Sequence, residues 1–179
     1  MKKLWIVSLL LIGLQNLAYS SDHHLTTVVV DIHDTTVTAN QPSFSYGTIT
    51  FKDSEGGLLI IPKLKNLTPG AHGMHIHSYP QCGQQGNDGG AHLDPKNTGL
   101  HLGPYNDSGH LGDLPVLIVD SQGNATKPVV APRLQLIDIN NRSIIIHAGS
   151  DNYSDNPQPN GGGGKRIGCG VIGKGFHLT

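Results

Sequence analysis

The stretch TTVVVDIHDTTVT, residues 26–38, has the alternation of a β-strand. Val28, Val30 and Ile32 fall on one face, and Asp31 and His33 fall on the other, because successive side chains of a strand point to opposite faces. Five further segments read as strands in the same way: 43–52, 57–62, 114–120, 125–130 and 142–148. Turn-forming residues separate them. The pattern predicts one all-β domain, an antiparallel sandwich or barrel.

The composition supports this prediction and excludes several classes of protein. Only 14% of the 179 residues are charged, and the chain contains 24 Gly and 11 Pro, which disfavours a helical bundle or a coiled coil. A formal net charge of -1 excludes a strongly basic nucleic-acid binder. Eleven His against 12 Lys plus Arg is unusual, and His is the commonest metal ligand.

The first twenty residues read as a cleaved secretory signal. A start with Lys2 and Lys3 precedes an apolar run at 4–14, and residues 18–20, Ala-Tyr-Ser, place small residues where a signal peptidase cuts. The run is shorter than the roughly 20 residues that span a bilayer, so no membrane association is expected after cleavage. We expect a signal at 1–20 and one domain at 21–179.

Export makes a disulfide the expected state of Cys82 and Cys169, the only cysteine pair. Two of the five Asn-X-Ser/Thr sequons fall within the histidine-rich region, where a glycan would obstruct chemistry. Together with the short lysine-led signal, this favours a bacterium and therefore a periplasmic protein.

Two long segments lack strand character, residues 80–113 (the first long loop) and 150–165 (the second long loop). Long irregular segments in a compact domain are usually functional or disordered. The second contains four consecutive glycines at 161–164, but the chain returns at once to Cys169 and a strand-like segment at 170–172. We therefore expect two functional loops.

Six histidines and one aspartate form a metal-ligand pattern. His75 and His77 are two apart and would face the same side of a strand. The others follow in the first long loop and at a strand end: His92, His101, His110, Asp113 and His147. Imidazole suits copper, zinc and nickel, and a single carboxylate is compatible with tetrahedral zinc. Seven ligands cannot fill two separate four-ligand sites, so either one ligand is shared or one site stays open.

Several motifs together resemble the bacterial copper,zinc superoxide dismutases. They are GMHIH at 73–77, GAHLDP at 90–95, HLGP at 101–104, GHLGDLP at 109–115, APRL at 131–134, HAGSDNYSD at 147–155 and the segment 161–172. The similarity covers nearly the whole mature chain in the right order. It implies an eight-stranded antiparallel Greek-key barrel of the immunoglobulin-like sandwich type.

The resemblance also implies the roles of individual residues. It assigns one copper ion per chain to His75, His77, His92 and His147, and one zinc ion to His92, His101, His110 and Asp113. His92 would bridge both metals. Asp151 corresponds to the acid that links ligands of the two metals, Arg166 to the active-site arginine, and Cys82 and Cys169 to the family disulfide.

The implied activity is the dismutation of superoxide to dioxygen and hydrogen peroxide, an antioxidant function in the cell envelope. Arg166 would attract the anion, and His92 would take up a proton on copper reduction and return it. A periplasmic copper- or zinc-binding protein without turnover is the alternative, but storage would require neither Arg166 nor Asp151. A zinc hydrolase ranks lower, because no Glu lies beside the ligands to act as a base.

Two features differ from the family pattern. Leu100 stands where many bacterial members carry a Lys, which predicts a weaker positive field around the site. The segment between Cys82 and His92 is short, and because it often shapes subunit contacts, both a monomer and a homodimer remain open. His23, His24 and His177 lie near the termini and are interpreted as terminal residues rather than ligands.

Overall fold

The computed structural model describes residues 27–36 and 44–173. The expected signal at 1–20, and His23, His24 and His177, lie outside these described residues. The described chain forms nine strands: β1 (Thr27–Asp34), β2 (Ser45–Ser54), β3 (Gly57–Leu64), β4 (Gly70–His72), β5 (Met74–His77), β6 (Leu117–Val119), β7 (Val129–Ala131), β8 (Arg142–His147) and β9 (Arg166–Ile172). Its only helical segments are three short 3₁₀ turns, at Asn87–Gly89, Leu136–Ile139 and Asn160–Gly162. None of the described residues forms a helix long and apolar enough to cross a membrane.

The strands are antiparallel and form two sheets, which confirms the all-β prediction. Seven strands form a curled half-barrel in the order β5-β8-β9-β1-β2-β3-β7, and β4 pairs with β6. Only Gly73 separates β4 from β5, and its N–H and C=O bond to residues 149 and 147. If β4 and β5 count as one strand that changes partners at Gly73, the barrel has the expected eight strands.

The core is built by the inward faces of these strands. Val30 and Ile32 are buried while Asp31 and His33 are exposed, as the alternation in β1 predicts. The other large buried side chains come from most strands and pack into one cluster: Ile49, Phe51, Leu58, Ile60, Met74, Ile76, Ile144, Ile146 and Ile172. Because Met74 and Ile76 of β5 point into this core, His75 and His77 lie on the opposite face of the strand.

Several strand bounds differ from the sequence-based expectation. β6 and β7 are three residues each, and Ala125 forms only an isolated bridge to Leu64. Pro128 follows, and proline has no N–H to donate to a ladder. β9 begins at Arg166, four residues earlier than expected. Its first residues include a glycine and show no strand pattern, but they pair with the end of β8. β4 is too short to be read from periodicity.

Candidate metal centre

The predicted ligands meet at one end of the half-barrel. His75 and His77 lie on β5, which pairs with β8, and His147 is the last residue of β8. The paired strands β5 and β8 therefore bring three histidines close together. The remaining predicted ligands, His92, His101, His110 and Asp113, arrive from the first long loop, and all seven residues are buried.

Four imidazoles converge in the first ligand set. One ring nitrogen from each lies within 4.8 Å of one from every other member, and the set consists of His75, His77, His92 and His147. Three buried nitrogens have no hydrogen-bond partner: His75 Nδ1, His77 Nε2 and His147 Nε2. An unpartnered buried polar atom is costly, so these nitrogens fit a metal ion as their missing partner.

The opposite nitrogen of each of these three rings is held by a protein oxygen. His75 Nε2 bonds the Asp151 carboxylate at 2.8 Å, His77 Nδ1 bonds the Gly90 carbonyl at 2.9 Å, and His147 Nδ1 bonds the Gly164 carbonyl at 3.1 Å. Because a carbonyl or carboxylate accepts a hydrogen bond, the proton sits on the outer nitrogen. The inner nitrogen then carries a lone pair, as a metal ligand requires.

The second ligand set centres on Asp113. The Nδ1 atoms of His92, His101 and His110 lie 3.0, 3.0 and 3.4 Å from the same carboxylate oxygen, Asp113 Oδ1. His101 Nδ1 and His110 Nδ1 nevertheless have no hydrogen-bond partner. A tetrahedral zinc ion with ligands at about 2.0 Å has edges of about 3.3 Å, so these separations fit such a site.

His92 belongs to both sets. Its Nδ1 faces Asp113, which leaves Nε2 for the first set. The His92 ring stacks on the His75 ring with centroids 3.9 Å apart. The structure therefore brings the seven predicted ligand residues together, with His92 facing both sets. His75 also lies close to His92, His101 and Asp113, on the other side of the same ring.

Asp151 connects the two sets from outside. Its Oδ2 accepts from His75 Nε2, and its Oδ1 accepts from His101 Nε2, both at 2.8 Å. The Tyr153 N–H also donates to Oδ1 at 2.7 Å. Burial raises the pKa of Asp151, but the bonds from the two imidazoles outweigh it and hold this pKa well below its usual value. Asp151 therefore remains a carboxylate.

The environment shifts the histidines in opposite directions. Burial, together with the neighbouring imidazole of His92, lowers the pKa of His75 to about 3, and burial lowers the pKa of His147 to about 4. Burial opposes protonation of His101 as well, but Asp113 and Asp151 raise its pKa to about 9. In the metal-free protein, the first set is thus neutral, whereas His101 is protonated and forms ion pairs with the Asp113 and Asp151 carboxylates.

An open pocket of about 410 Å³ leads to the centre. Its lining includes His92, His110, His147, Arg166 and the glycines of the second long loop. Arg166 is half-buried, and its guanidinium donates to the Gly86 carbonyl at 2.6 Å and to the Gly90 carbonyl at 3.0 Å. A fixed cation therefore stands beside the ligands where a small anion would enter.

The disulfide between Cys82 and Cys169 is present, which confirms that prediction. It ties the first long loop to β9, three residues beyond Arg166. The residues just after Cys82 supply both carbonyls that hold Arg166, and the Gly90 carbonyl also accepts from His77. One short segment therefore positions a ligand and the pocket cation together.

Some contributors to the site were not predicted. The carbonyls of Gly86, Gly90 and Gly164 have no side chain to mark them. Asp155, which accepts from the His101 N–H at 2.9 Å and from the Asn160 N–H at 2.9 Å, joins the two long loops. The motif at 147–155 contains Asp155 but does not predict this role, because the contact depends on how the two long loops meet.

The fold and the two joined ligand sets define a binuclear metalloprotein built on an antiparallel β-barrel. Comparison with known proteins gives its family. The model of the copper/zinc superoxide dismutase family matches residues 45–172, and the chain belongs to this family. It is a Cu-Zn superoxide dismutase.

Individual relatives agree. The chain is 50% identical over 145 residues to "Superoxide dismutase [Cu-Zn] 2" of Salmonella typhimurium, covering 76% of this chain and 83% of the relative. The copper/zinc superoxide dismutase of Brucella abortus superposes with a TM-score of 0.76 at 41% identity, covering 82% of this chain and 99% of that one. The monomeric copper, zinc enzyme of Salmonella enterica gives a TM-score of 0.70 at 47% identity, with the same coverage of both chains.

Proposed function

We propose that His75, His77, His92 and His147 hold one copper ion and that His92, His101, His110 and Asp113 hold one zinc ion. The observation that carries this assignment is the position of His92 in both ligand sets, with Nδ1 towards Asp113 and Nε2 towards the other set. All-imidazole coordination suits copper, and three imidazoles with one carboxylate suit zinc.

When bound, copper supplies the one-electron chemistry by which one superoxide is oxidised to dioxygen and a second is reduced to hydrogen peroxide. The chain provides the rest. Arg166 attracts and orients the anion in the pocket, because its planar guanidinium is already fixed by two carbonyls. The peroxide product takes up two protons: His92 would supply one from Nε2, and water in the open pocket would supply the other. The contact of His92 with Asp113 keeps the ring oriented.

Asp151 serves as a positioning residue in this proposal. Its two carboxylate oxygens hold one histidine of each metal, so the ring planes of His75 and His101 are fixed with respect to each other. Such contacts set the tautomer of a ligand and typically change metal affinity 10- to 100-fold when lost.

We further propose that residues 1–20 are removed as a signal and that residues 21–179 act in the periplasm, as a monomer or a homodimer. The disulfide supports an oxidising compartment. Mass spectrometry of the protein isolated from the cell envelope would give the new N-terminus, and sedimentation would give the number of subunits. An intact Met1 in that material would contradict the proposed cleavage.

Metal analysis and superoxide decay on the purified mature protein test the assignment. We expect one copper and one zinc per chain and rapid turnover. Removal of zinc, and separately His92→Ala, should both alter the visible and paramagnetic spectra of copper. Copper spectra that neither change affects would show that His92 does not join the sites.

A further inference from the structure

A single arginine outside the first long loop makes four hydrogen bonds to that loop. Arg133 lies two residues after β7, and its side chain is half-buried. The acceptors are all backbone carbonyls of the segment 103–110: Nε bonds Pro104 at 3.0 Å, Nη1 bonds Gly109 at 3.2 Å, and Nη2 bonds Gly103 at 3.1 Å and His110 at 2.5 Å. Four of the five guanidinium N–H groups are thus used on one segment.

This segment lies between two zinc-side ligands. It begins two residues after His101 and ends at His110, whose own carbonyl is one of the acceptors. At its start, the N–H of Gly103 donates to Asp113 Oδ2 at 3.2 Å. The two ends of the segment that Arg133 holds are therefore connected directly to the ligand set.

Apart from Arg133 and the Gly103 bond, local contacts shape the segment: the His110 N–H donates to the Leu100 carbonyl at 2.9 Å, and the N–H groups of Ser108 and Gly109 donate to Asn106. No described residue between Gly90 and β6 belongs to a helix or to a strand, so no regular ladder holds it. A zinc ion binds tightly only if His101, His110 and Asp113 are already close together, since ordering a free loop costs conformational entropy. Four bonds from one planar guanidinium group remove much of that freedom before the metal arrives.

We propose that Arg133 is a positioning residue of the zinc site, which holds the segment 103–110 in the shape that zinc binding requires and thereby slows zinc loss. The proposal rests on the ligand assignment made above. The planar fork of arginine reaches four carbonyls at once, whereas a lysine ammonium is a point charge with three donors. Charge alone therefore does not replace Arg133.

The test compares Arg133→Lys and Arg133→Gln with the wild-type holoenzyme. Two measurements are needed: the rate at which zinc passes to an added chelator, and the visible spectrum of cobalt placed at the zinc site. Arg142→Lys is the matched control, because Arg142 also donates to backbone carbonyls, at Ser78 and Asn141, but to none in the segment 103–110. Thermal unfolding of the metal-free variants reports any general loss of stability.

We expect both Arg133 variants to release zinc about tenfold faster or more and to show an altered cobalt spectrum, with Arg142→Lys unchanged. Arg133→Lys retains the positive charge, but we expect it to release zinc as fast as Arg133→Gln does. If Arg133→Lys releases zinc within about twofold of the wild-type rate, this proposal is overturned, whereas the ligand assignment is not. A wild-type cobalt spectrum that His110→Ala leaves unchanged would overturn the ligand assignment, and this proposal with it.

Discussion

Replacing Cys82 with Ser should lower both the stability and the activity of this enzyme. The disulfide joins residues 87 positions apart, and in the chain-entropy description a loop of that length stabilises the folded state by about 4 to 5 kcal/mol. For a chain of this size, 1 kcal/mol moves the unfolding midpoint by about 2 to 4 °C. We therefore expect the metal-free variant to unfold about 8 to 20 °C below wild type.

Cys82 is the better of the two positions for this substitution. Cys169 is only 1% exposed, and a serine there would bury a hydroxyl, which would add a second cost unrelated to the disulfide. Cys82 is half-buried and lies in a loop, so the serine hydroxyl reaches water. The change in stability then reports the lost cross-link.

Activity should fall for a separate reason. Both carbonyls that hold Arg166 follow within eight residues of Cys82, so a released loop no longer fixes the pocket cation. We expect kcat/KM for superoxide to fall and the copper spectrum to change with it, because the Gly90 carbonyl of the same loop also orients His77, while zinc content stays unchanged.

Calorimetry of the metal-free proteins, with and without reductant, gives the comparison. Reduced wild type should unfold at the temperature of Cys82→Ser, since both lack the cross-link. A variant that unfolds within about 2 °C of oxidised wild type would refute the reasoning, because the entropy estimate would then exceed the real effect several-fold.

Three other outcomes follow from the site. The wild-type rate should fall as salt rises, since the Debye length shrinks from about 10 Å at 0.1 M to about 3 Å at 1 M, and Arg166→Glu should reverse that trend; a rate independent of salt would contradict steering. In urea unfolding, the metal-free protein should be most stable near pH 6.5. The pKa of His147 is lowered to about 4 in the folded state, so stability falls as the pH drops from 6.5 to 4; the pKa of His101 is raised to about 9, so its stabilising contribution is lost as the pH rises from 6.5 to 9. A free energy of unfolding that does not vary with pH would disagree. Gly161→Ala should weaken metal binding in competition assays, because the added methyl group would overlap Asp151 Oδ1. Gly162→Ala is the control, since its methyl group would meet its nearest atoms, in Gln158, only at 3.7 Å.

The longer strands and the ligand residues were accessible from the sequence. β1, β2 and β3 alternate between buried and more exposed positions, so periodicity locates them. β8 is a short buried run with three consecutive isoleucines, which also predicts a strand. β4 has three residues and is separated from β5 only by Gly73, so it carries no periodic signal. The histidines and the aspartate that converge in the structure stood out in the sequence because an excess of histidine is unusual and the imidazole is chemically specific.

The parts that could not be predicted are those that depend on the backbone in three dimensions. Carbonyls such as that of Gly90 orient a ligand, yet no side chain marks them. Arg133 was noticed only within the motif at 131–134, and its four bonds depend on how a distant loop folds back. Sequence patterns name the groups that do chemistry but not the groups that hold them.

The shared carbonyl of Gly90 limits how this enzyme can be redesigned. It accepts from His77 Nδ1 and from an Arg166 N–H, so the metal ligand and the anion-attracting cation have one common anchor. A substitution that shifts this peptide to tune one function also shifts the other. Changes in copper potential and in substrate capture should therefore occur together in variants of the segment 82–90, and separating them requires substitutions elsewhere, such as on the second long loop.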